Sequence, residues 1–308
     1  MIERLDTPQA AADWCQAARE RGQSIGFVPT MGALHDGHLS LARAALAGCD
    51  LCVVSVFVNP LQFDEATDLE TYPRDWEGDA KRLGSVGCQM VFTGSLAQFF
   101  EGELESDGAL APERLLAPGR GALGLEGACR TGHFEGVATI VDRLFEVVHP
   151  DRAYFGQKDF QQTLVVEEVA RRRGAPQIVV CPISREESGL ARSSRNERLR
   201  PQERERAVCL SRGLSRASHR WQHGLRDLRS LEAEILAELE VAGVQVEYAA
   251  IRERSAWSPE SPVEDLHDPV ALVAARLGQV RLIDNHLLGE VPPHPASAFK
   301  GLEFSSRP

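Results

Sequence analysis

No apolar run in this 308-residue chain approaches the ~20 residues needed to span a bilayer, which argues against a membrane role. The start, "MIERLDTPQAAADWCQAARERG", is polar and helix-like. It has no apolar core of the kind a secretory signal carries, so a cytoplasmic location is expected. Basic charge is also scarce. There are 34 Lys and Arg against 45 Asp and Glu, for a formal net charge of −11. Such a chain should repel nucleic-acid backbones and anionic membrane surfaces, so no nucleic-acid or membrane partner is expected. One ligand site can still be basic, because local charge need not follow net charge. The seven cysteines (15, 49, 52, 88, 129, 181, 209) are odd in number and scattered. That fits reduced thiols in a cytosol better than a disulfide framework. Cys49 and Cys52 form a C-x-x-C with no second pair and no histidine at zinc spacing, so they read as structural thiols.

What is present is a repeating order. The length suits two domains, or one large domain with an appendage. Residues 24–30, 51–58, 88–94, 152–156 and 177–182 read as strands. Between them, 38–49, 75–87, 134–149 and 159–173 have helical spacing. The run "LCVVSVFV" is continuous and rich in β-branched valine, as expected of a strand buried on both faces. Repeated β-α-β predicts an α/β fold, a Rossmann-like doubly wound parallel sheet, over residues 1–184. Segment 101–128 has weak periodicity and reads as irregular. After about residue 184 the texture changes to charged amphipathic helices at 201–224 and 226–243. Strands follow at 244–251, 270–277 and 280–285, the last two joined by a tight turn at Gly278-Gln279. This predicts a smaller C-terminal α+β domain over 185–288. A Pro- and Ser-rich tail covers 289–308.

Chemistry concentrates where strands give way to helices. Residues 28–41 read "VPTMGALHDGHLSL", with His35 and His38 among Gly26, Gly32 and Gly37. A helix start presents unpaired N–H groups and a positive dipole end, a ready site for phosphate. Two imidazoles three residues apart can flank one point there. The plainer alternative is a capped helix with two surface histidines. "SVFVNPLQF" ends a buried strand with Asn59 and Gln62, amides that suit a hydroxylated substrate because each donates and accepts. An Asn-Pro turn also explains Asn59. "YFGQKDFQQ" repeats the arrangement: Gly156 permits close approach and Lys158 supplies charge. Asp159 can cap the helix, hold a ribose hydroxyl or hold a metal ion, and Gln161 and Gln162 lie on the first helical turns. "ARSSRNERL" brings Ser193, Ser194 and Arg195 together, able to grip a triphosphate or simply to form a polar linker. Arg130 with His133, and Tyr72 with Arg74, stand before further helices.

In this order, "PTMGALHDGHLSL", "SVFVNPLQF", "DLETYPRDWEGD", "RTGHFEGVATIV", "YFGQKDFQQ", "GLARSSRN" and the later "VRLIDN" resemble the pantoate–β-alanine ligase family. That family belongs to the nucleotidyltransferases with an H-x-G-H signature. The resemblance implies a two-step reaction with ATP and Mg2+. Pantoate is activated as pantoyl adenylate with release of pyrophosphate, and β-alanine then displaces AMP. It implies that His35, His38, Lys158, Ser193, Ser194 and Arg195 contact phosphates and act in catalysis. Met31, Gly156 and Asp159 join them around ATP, with Asp159 near the ribose or the metal. Thr30, Met31, Asn59, Gln62 and Gln162 are implied around pantoate. A homodimer and a lid role for the C-terminal domain are implied too. One position departs: the family has methionine where Arg192 stands. An arginine there can stack on the base or swing out and loosen the nucleotide. A relative with a changed acid or amine substrate, and a nucleotide-binding protein without catalysis, are the competing readings. The family pattern leads one to expect an acidic residue at the end of the strand in "VEYAAIRERSAWSPES", and the strand read over 244–251 ends without one.

Overall fold

The computed structural model describes residues 2–63, 66–262 and 266–290. They divide into two units. The N-terminal unit runs to Gly156 and resumes over Gln161–Cys181. The C-terminal unit comprises Gln157–Phe160 and the described residues from Pro182 onward.

In the N-terminal unit the elements are β1 (Glu3–Leu5), α1 (Pro8–Glu20), β2 (Ile25–Thr30), α2 (Asp36–Gly48), β3 (Leu51–Val56), α3 (Ala66–Glu70), α4 (Trp76–Ser85), β4 (Met90–Phe92) and α5 (Leu96–Phe99). Then come α6 (Leu125–Cys129), α7 (His133–Val148), β5 (Arg152–Gly156), α8 (Phe160–Arg173) and β6 (Gln177–Cys181). The six strands form one sheet in the order β1-β4-β3-β2-β5-β6, and every pair is parallel. All six residues of β3 are buried, which fits its continuous, valine-rich sequence and a strand covered on both sides.

Alternate residues face opposite layers. Ile25, Phe27 and Val53 pack with Ala11 and Cys15 of α1, Val137 and Ile140 of α7 and Val165 of α8. Val28, Cys52 and Val54 pack with Leu39 and Ala42 of α2 and with Ala80 and Leu83 of α4. Helix α7 shows the energetics. It buries Phe134, Val137, Ile140, Val141, Leu144, Phe145 and Val148 along one stripe, each worth about 1.5–3 kcal/mol of transfer. The winding reverses between β2 and β5, which are neighbours in the sheet although β3 and β4 intervene in the chain. In such sheets the crevice beyond the carboxyl ends at the reversal is where ligands bind.

The C-terminal unit holds α9 (Pro201–Ala207), α10 (Cys209–Gln222), α11 (Leu228–Val241) and an antiparallel sheet β7 (Gln245–Glu253), β8 (Pro269–Leu277), β9 (Val280–Leu287). Its core joins Leu210 and Leu214 of α10 to Leu231, Ile235 and Leu239 of α11 and to Val273 and Leu282 of the sheet. The Gly278-Gln279 turn closes the β8–β9 hairpin with Leu277 opposite Val280.

Some expectations need correction. The single helix read over 201–224 is two helices that meet at Val208. Strand β1 was hidden in a start that reads as helix throughout. It has only three residues and pairs with β4 alone, too short to show alternation. The strand read as 244–251 runs on to Glu253 and so does end on a carboxylate. That carboxylate accepts from the backbone N–H groups of His267 and Asp268. Of the expected tail, residues 291–308 lie outside the described residues.

Candidate active site

The first group of site residues follows β2. Thr30, the last residue of the strand, donates from Oγ1 to Ser55 O at 2.7 Å and accepts from Gly32 N at 3.2 Å. The chain then turns through Gly32 at φ +85° and Ala33 at φ +50°. A side chain on Gly32 would stand 2.9 Å from Asp79 Oδ2, so only glycine fits there. Asp79, buried on α4, explains the closeness. Its two oxygens accept from Ala33 N at 3.0 Å and Leu34 N at 2.8 Å. Burial pushes its carboxyl above the ordinary value, while the two N–H donors pull it back.

That turn delivers the histidines. Helix α2 starts at Asp36, with His35 as its N-cap. His35 Nδ1 accepts from Gly37 N at 3.1 Å, and His38 Nδ1 accepts from His35 N at 3.2 Å. The rings lie 4.1 Å apart, centroid to centroid. A backbone N–H can only donate, so each Nδ1 must be the bare nitrogen, and in the neutral ring the proton sits on Nε2. The capping alternative and the anion-site reading are therefore compatible. One nitrogen of each imidazole caps the helix, and the other is a hydrogen-bond donor.

The second group follows β3. Asn59 is 1% exposed, and its side chain is used within the protein. Oδ1 accepts from Leu61 N at 3.2 Å, and Nδ2 donates to Gln62 Oε1 and to Gly136 O, both at 3.1 Å. Gln62 Nε2 in turn donates to Met31 Sδ at 2.9 Å, which joins the two groups. Arg130 and His133 act on the same residue. His133 Nδ1 donates to Gln62 O at 2.8 Å, Arg130 Nη2 donates to it at 3.3 Å, and Arg130 Nη1 donates to His133 Nε2 at 3.1 Å. Both side chains grip the Gln62 backbone. Gly136 allows this: its Cβ would stand 2.1 Å from Leu61 O. Arg74 bonds to the Tyr72 and Leu69 carbonyls, and Tyr72 packs edge-on to Phe63 at 5.6 Å.

The third group follows β5. Where a side chain on Gly156 would be, there is open space. Of the two glutamines on the first turn of α8, Gln161 is 1% exposed and committed. It accepts from Glu126 N at 2.8 Å and donates to Gly121 O at 2.9 Å, pinning the irregular segment. Gln162 is partly exposed beside it.

In the C-terminal unit, Lys158 Nζ lies 3.2 Å from Asp159 Oδ1. Lys158 lines a cavity with Ala191, Ser193, Asn196, Arg281 and Asp284. Ser193 caps a short 3-10 turn over Ser194–Arg198, which includes Arg195, by accepting from Arg195 N at 3.3 Å. Asn196, 2% exposed, donates to Ala191 O at 3.0 Å and Glu186 Oε1 at 3.1 Å and so fixes that turn. Arg192 N donates to Ser184 O at 2.9 Å, so the backbone at the departing position is tied into the hairpin that precedes it.

Sequence reasoning gave no role to Asp79 or to Asn285, the last residue of "VRLIDN", whose partners Gln157 and Lys158 stand 128 and 127 positions away. Asp79 lies inside a quoted motif, but its partners are some 45 residues away. Cys52 is fully buried in β3, and a hydrogen bond with Cys88 and burial hold its thiol well above the ordinary value. Among the described residues, no helix is long and apolar enough to cross a membrane.

Comparison with known proteins gives a consistent result. The family model described as pantoate–β-alanine ligase matches residues 3–287. A pantothenate synthetase of Rhodopirellula baltica is 41% identical over 288 residues, covering 93% of this chain and 99% of its own. One from Pseudomonas aeruginosa is 44% identical over 269 residues, 87% of this chain and 92% of its own. The crystal structure of a pantothenate synthetase from Thermus thermophilus is 37% identical, with a TM-score of 0.81, and covers 93% of this chain and 99% of its own. A pantoate–β-alanine ligase from Francisella tularensis, solved with β,γ-ATP and β-alanine, is 30% identical. Its TM-score is 0.72, with 95% and 100% coverage.

Proposed function

The chain belongs to the pantoate–β-alanine ligase family, and on that premise we propose that it condenses pantoate with β-alanine to pantothenate at the expense of ATP. It is a ligase that forms a carbon–nitrogen bond. A pantoate carboxylate oxygen attacks the α-phosphorus of ATP and the bond to pyrophosphate breaks, giving pantoyl adenylate. The β-alanine nitrogen then attacks the acyl carbon. The acyl–oxygen bond breaks, AMP leaves, and the amine loses its proton to solvent.

The observation that carries this reading is the reciprocal histidine cap. It commits both Nδ1 atoms and leaves each neutral ring its proton on Nε2, at a helix start whose dipole favours anions. Donors fixed in advance stabilise charge that develops in the transition state without reorganising. We assign His35, His38, Lys158, Ser193, Ser194 and Arg195 to the phosphates. Met31, Gly156 and Asp159 are assigned to the rest of the nucleotide. Gln62 and Gln162 are assigned to pantoate, with Thr30 and Met31 shaping that pocket. Asn59 acts there through Gln62, whose amide it orients.

Magnesium fits this residue set as a companion of ATP. Among the described residues no three His, Cys, Asp or Glu side chains gather as a metal site. Magnesium commonly keeps its waters and takes substrate phosphates with one or two carboxylates. Asp159 is the carboxylate that would serve. The ion, when bound, neutralises phosphate charge. We further assign the protein to the cytoplasm, supported by seven free cysteines, and to a homodimer, to be checked by sedimentation.

Pantoate-dependent exchange of labelled pyrophosphate into ATP tests the proposal. Exchange that needs pantoate and not β-alanine is expected. No exchange from folded protein with magnesium would overturn it.

A further inference from the structure

The segment that carries Lys158 is held by a residue 127 positions further along the chain. Asn285, 2% exposed on β9, donates from Nδ2 to the carbonyl oxygens of Gln157 and Lys158, each at 2.9 Å. Its Oδ1 accepts from Gln157 Nε2 at 3.1 Å. Every polar atom of the side chain is therefore spent on two consecutive residues. The backbone of Asn285 is fixed in turn: its N–H donates to Asp284 Oδ1 at 2.8 Å. Asp284 takes two bonds from Arg185, at 2.7 and 3.0 Å, and Arg185 also donates to Gly189 O at 3.1 Å. Two successive residues of β9 thus tie down the lysine segment and the hairpin that leads to Ser193.

We propose that Asn285 is a positioning residue for Lys158 in adenylate formation. The inference rests on the reading of Lys158 as a phosphate contact. A lysine ammonium is a point charge on a flexible four-carbon stem. It can be aimed only if its own backbone is fixed, and displacement of a reacting contact by about 1 Å can cost about 100-fold in rate. The clamp needs two donors and one acceptor in one plane, which a primary amide supplies. The isosteric aspartate would set an oxygen against two carbonyl oxygens. A role confined to bracing β9 would not require that both carbonyls of the lysine segment be the acceptors.

The test uses the full-length protein and single-turnover adenylate formation at saturating ATP and pantoate. Wild-type protein without pantoate-dependent exchange would count against the proposed function, and the clamp is judged on protein that exchanges. Asn285→Ala should slow adenylate formation by about 10- to 100-fold, the scale for removing a supporting partner, with KM for pantoate within about threefold. Asn285→Asp should be no better. In a Lys158→Ala background, Asn285→Ala should cause no further loss, because the two act as one unit. Equal losses in both backgrounds, or a wild-type rate for Asn285→Asp, would overturn the proposal. If Asn285→Ala does not fold, Gln157→Ala decides. It removes only the bond to Oδ1 from a partly exposed side chain. A loss of about fivefold, the scale of one hydrogen bond, that vanishes with Lys158→Ala supports the clamp. An unchanged rate overturns it.

Discussion

Gly136→Ala isolates how closely α7 must approach the segment that carries Gln62. The added Cβ would lie 2.1 Å from Leu61 O, 2.4 Å from Leu61 C and 2.8 Å from Gln62 N. Carbon–oxygen contacts settle at about 3.3–3.6 Å, so the two backbones must part by about 1.2 Å. Helix α7 cannot supply that shift cheaply, because Phe134, Val137 and Ile140 lock it into the core. The Pro60–Gln62 turn therefore moves, and with it the bonds from Asn59 to Gln62 and from Gln62 to Met31. A displacement of about 1 Å at a substrate-orienting group costs about 100-fold. Helix propensity pulls the other way, since alanine in a helix interior is favoured over glycine by about 1 kcal/mol. The expected outcome is kcat/KM for pantoate lowered about 100-fold, KM for β-alanine within about threefold, and an unchanged far-ultraviolet spectrum. Steady-state kinetics with each substrate varied in turn will check it. A variant within about threefold of wild type, or one that is simply more stable and fully active, would refute the claim that this contact sets Gln62.

Three further outcomes are expected. Asp79→Ala strips one buried and one part-buried N–H group, those of Leu34 and Ala33, of their acceptor, each worth up to about 1–3 kcal/mol, partly offset by relief of the buried charge. The melting temperature at pH 7 should fall by about 5–15 °C, and calorimetry showing less than about 2 °C would contradict this. The sign of its pH dependence follows from the raised carboxyl. The folded state holds the proton more tightly, so the contribution is full below the ordinary value of 3.8 and is lost as pH rises through the folded value. The wild-type advantage over Asp79→Ala should therefore grow as pH falls from neutral toward about 4. His38→Ala should slow adenylate formation by about 100-fold or more while the lost cap costs only about 1 kcal/mol; near-normal turnover would reduce the imidazole to a cap. Arg192→Met should bind ATP about threefold to tenfold more tightly by titration calorimetry if the arginine loosens the nucleotide. Unchanged or weaker binding favours stacking on the base, an interaction of the same scale.

Much of the fold was legible because its signals are local. The short, valine-rich apolar run of β3 marks a strand covered on both faces, the 3.6-residue stripe of α7 marks a one-sided helix, and alternation of such elements implies a parallel sheet. The histidines could be placed at a helix start because strand, glycine turn and helix follow within a dozen residues. Elements without such a signal went unread. Strand β1 exists only because β4 pairs with it, and the break at Val208 leaves the amphipathic pattern of 201–224 nearly intact.

By itself, the sequence determined the element order, the residue types at each strand end, and the motif set that marks the family. All of these are properties of neighbours along the chain. Tertiary structure alone decided which side chains are supports. Asp79 braces the turn before His35, Arg130 and His133 grip the carbonyl of Gln62, and Asn285 holds the peptides around Lys158. Each bond joins residues roughly 45 to 127 positions apart. Hydrogen-bond partners at that separation are chosen by how packed layers meet, and packing leaves no periodic trace in the sequence.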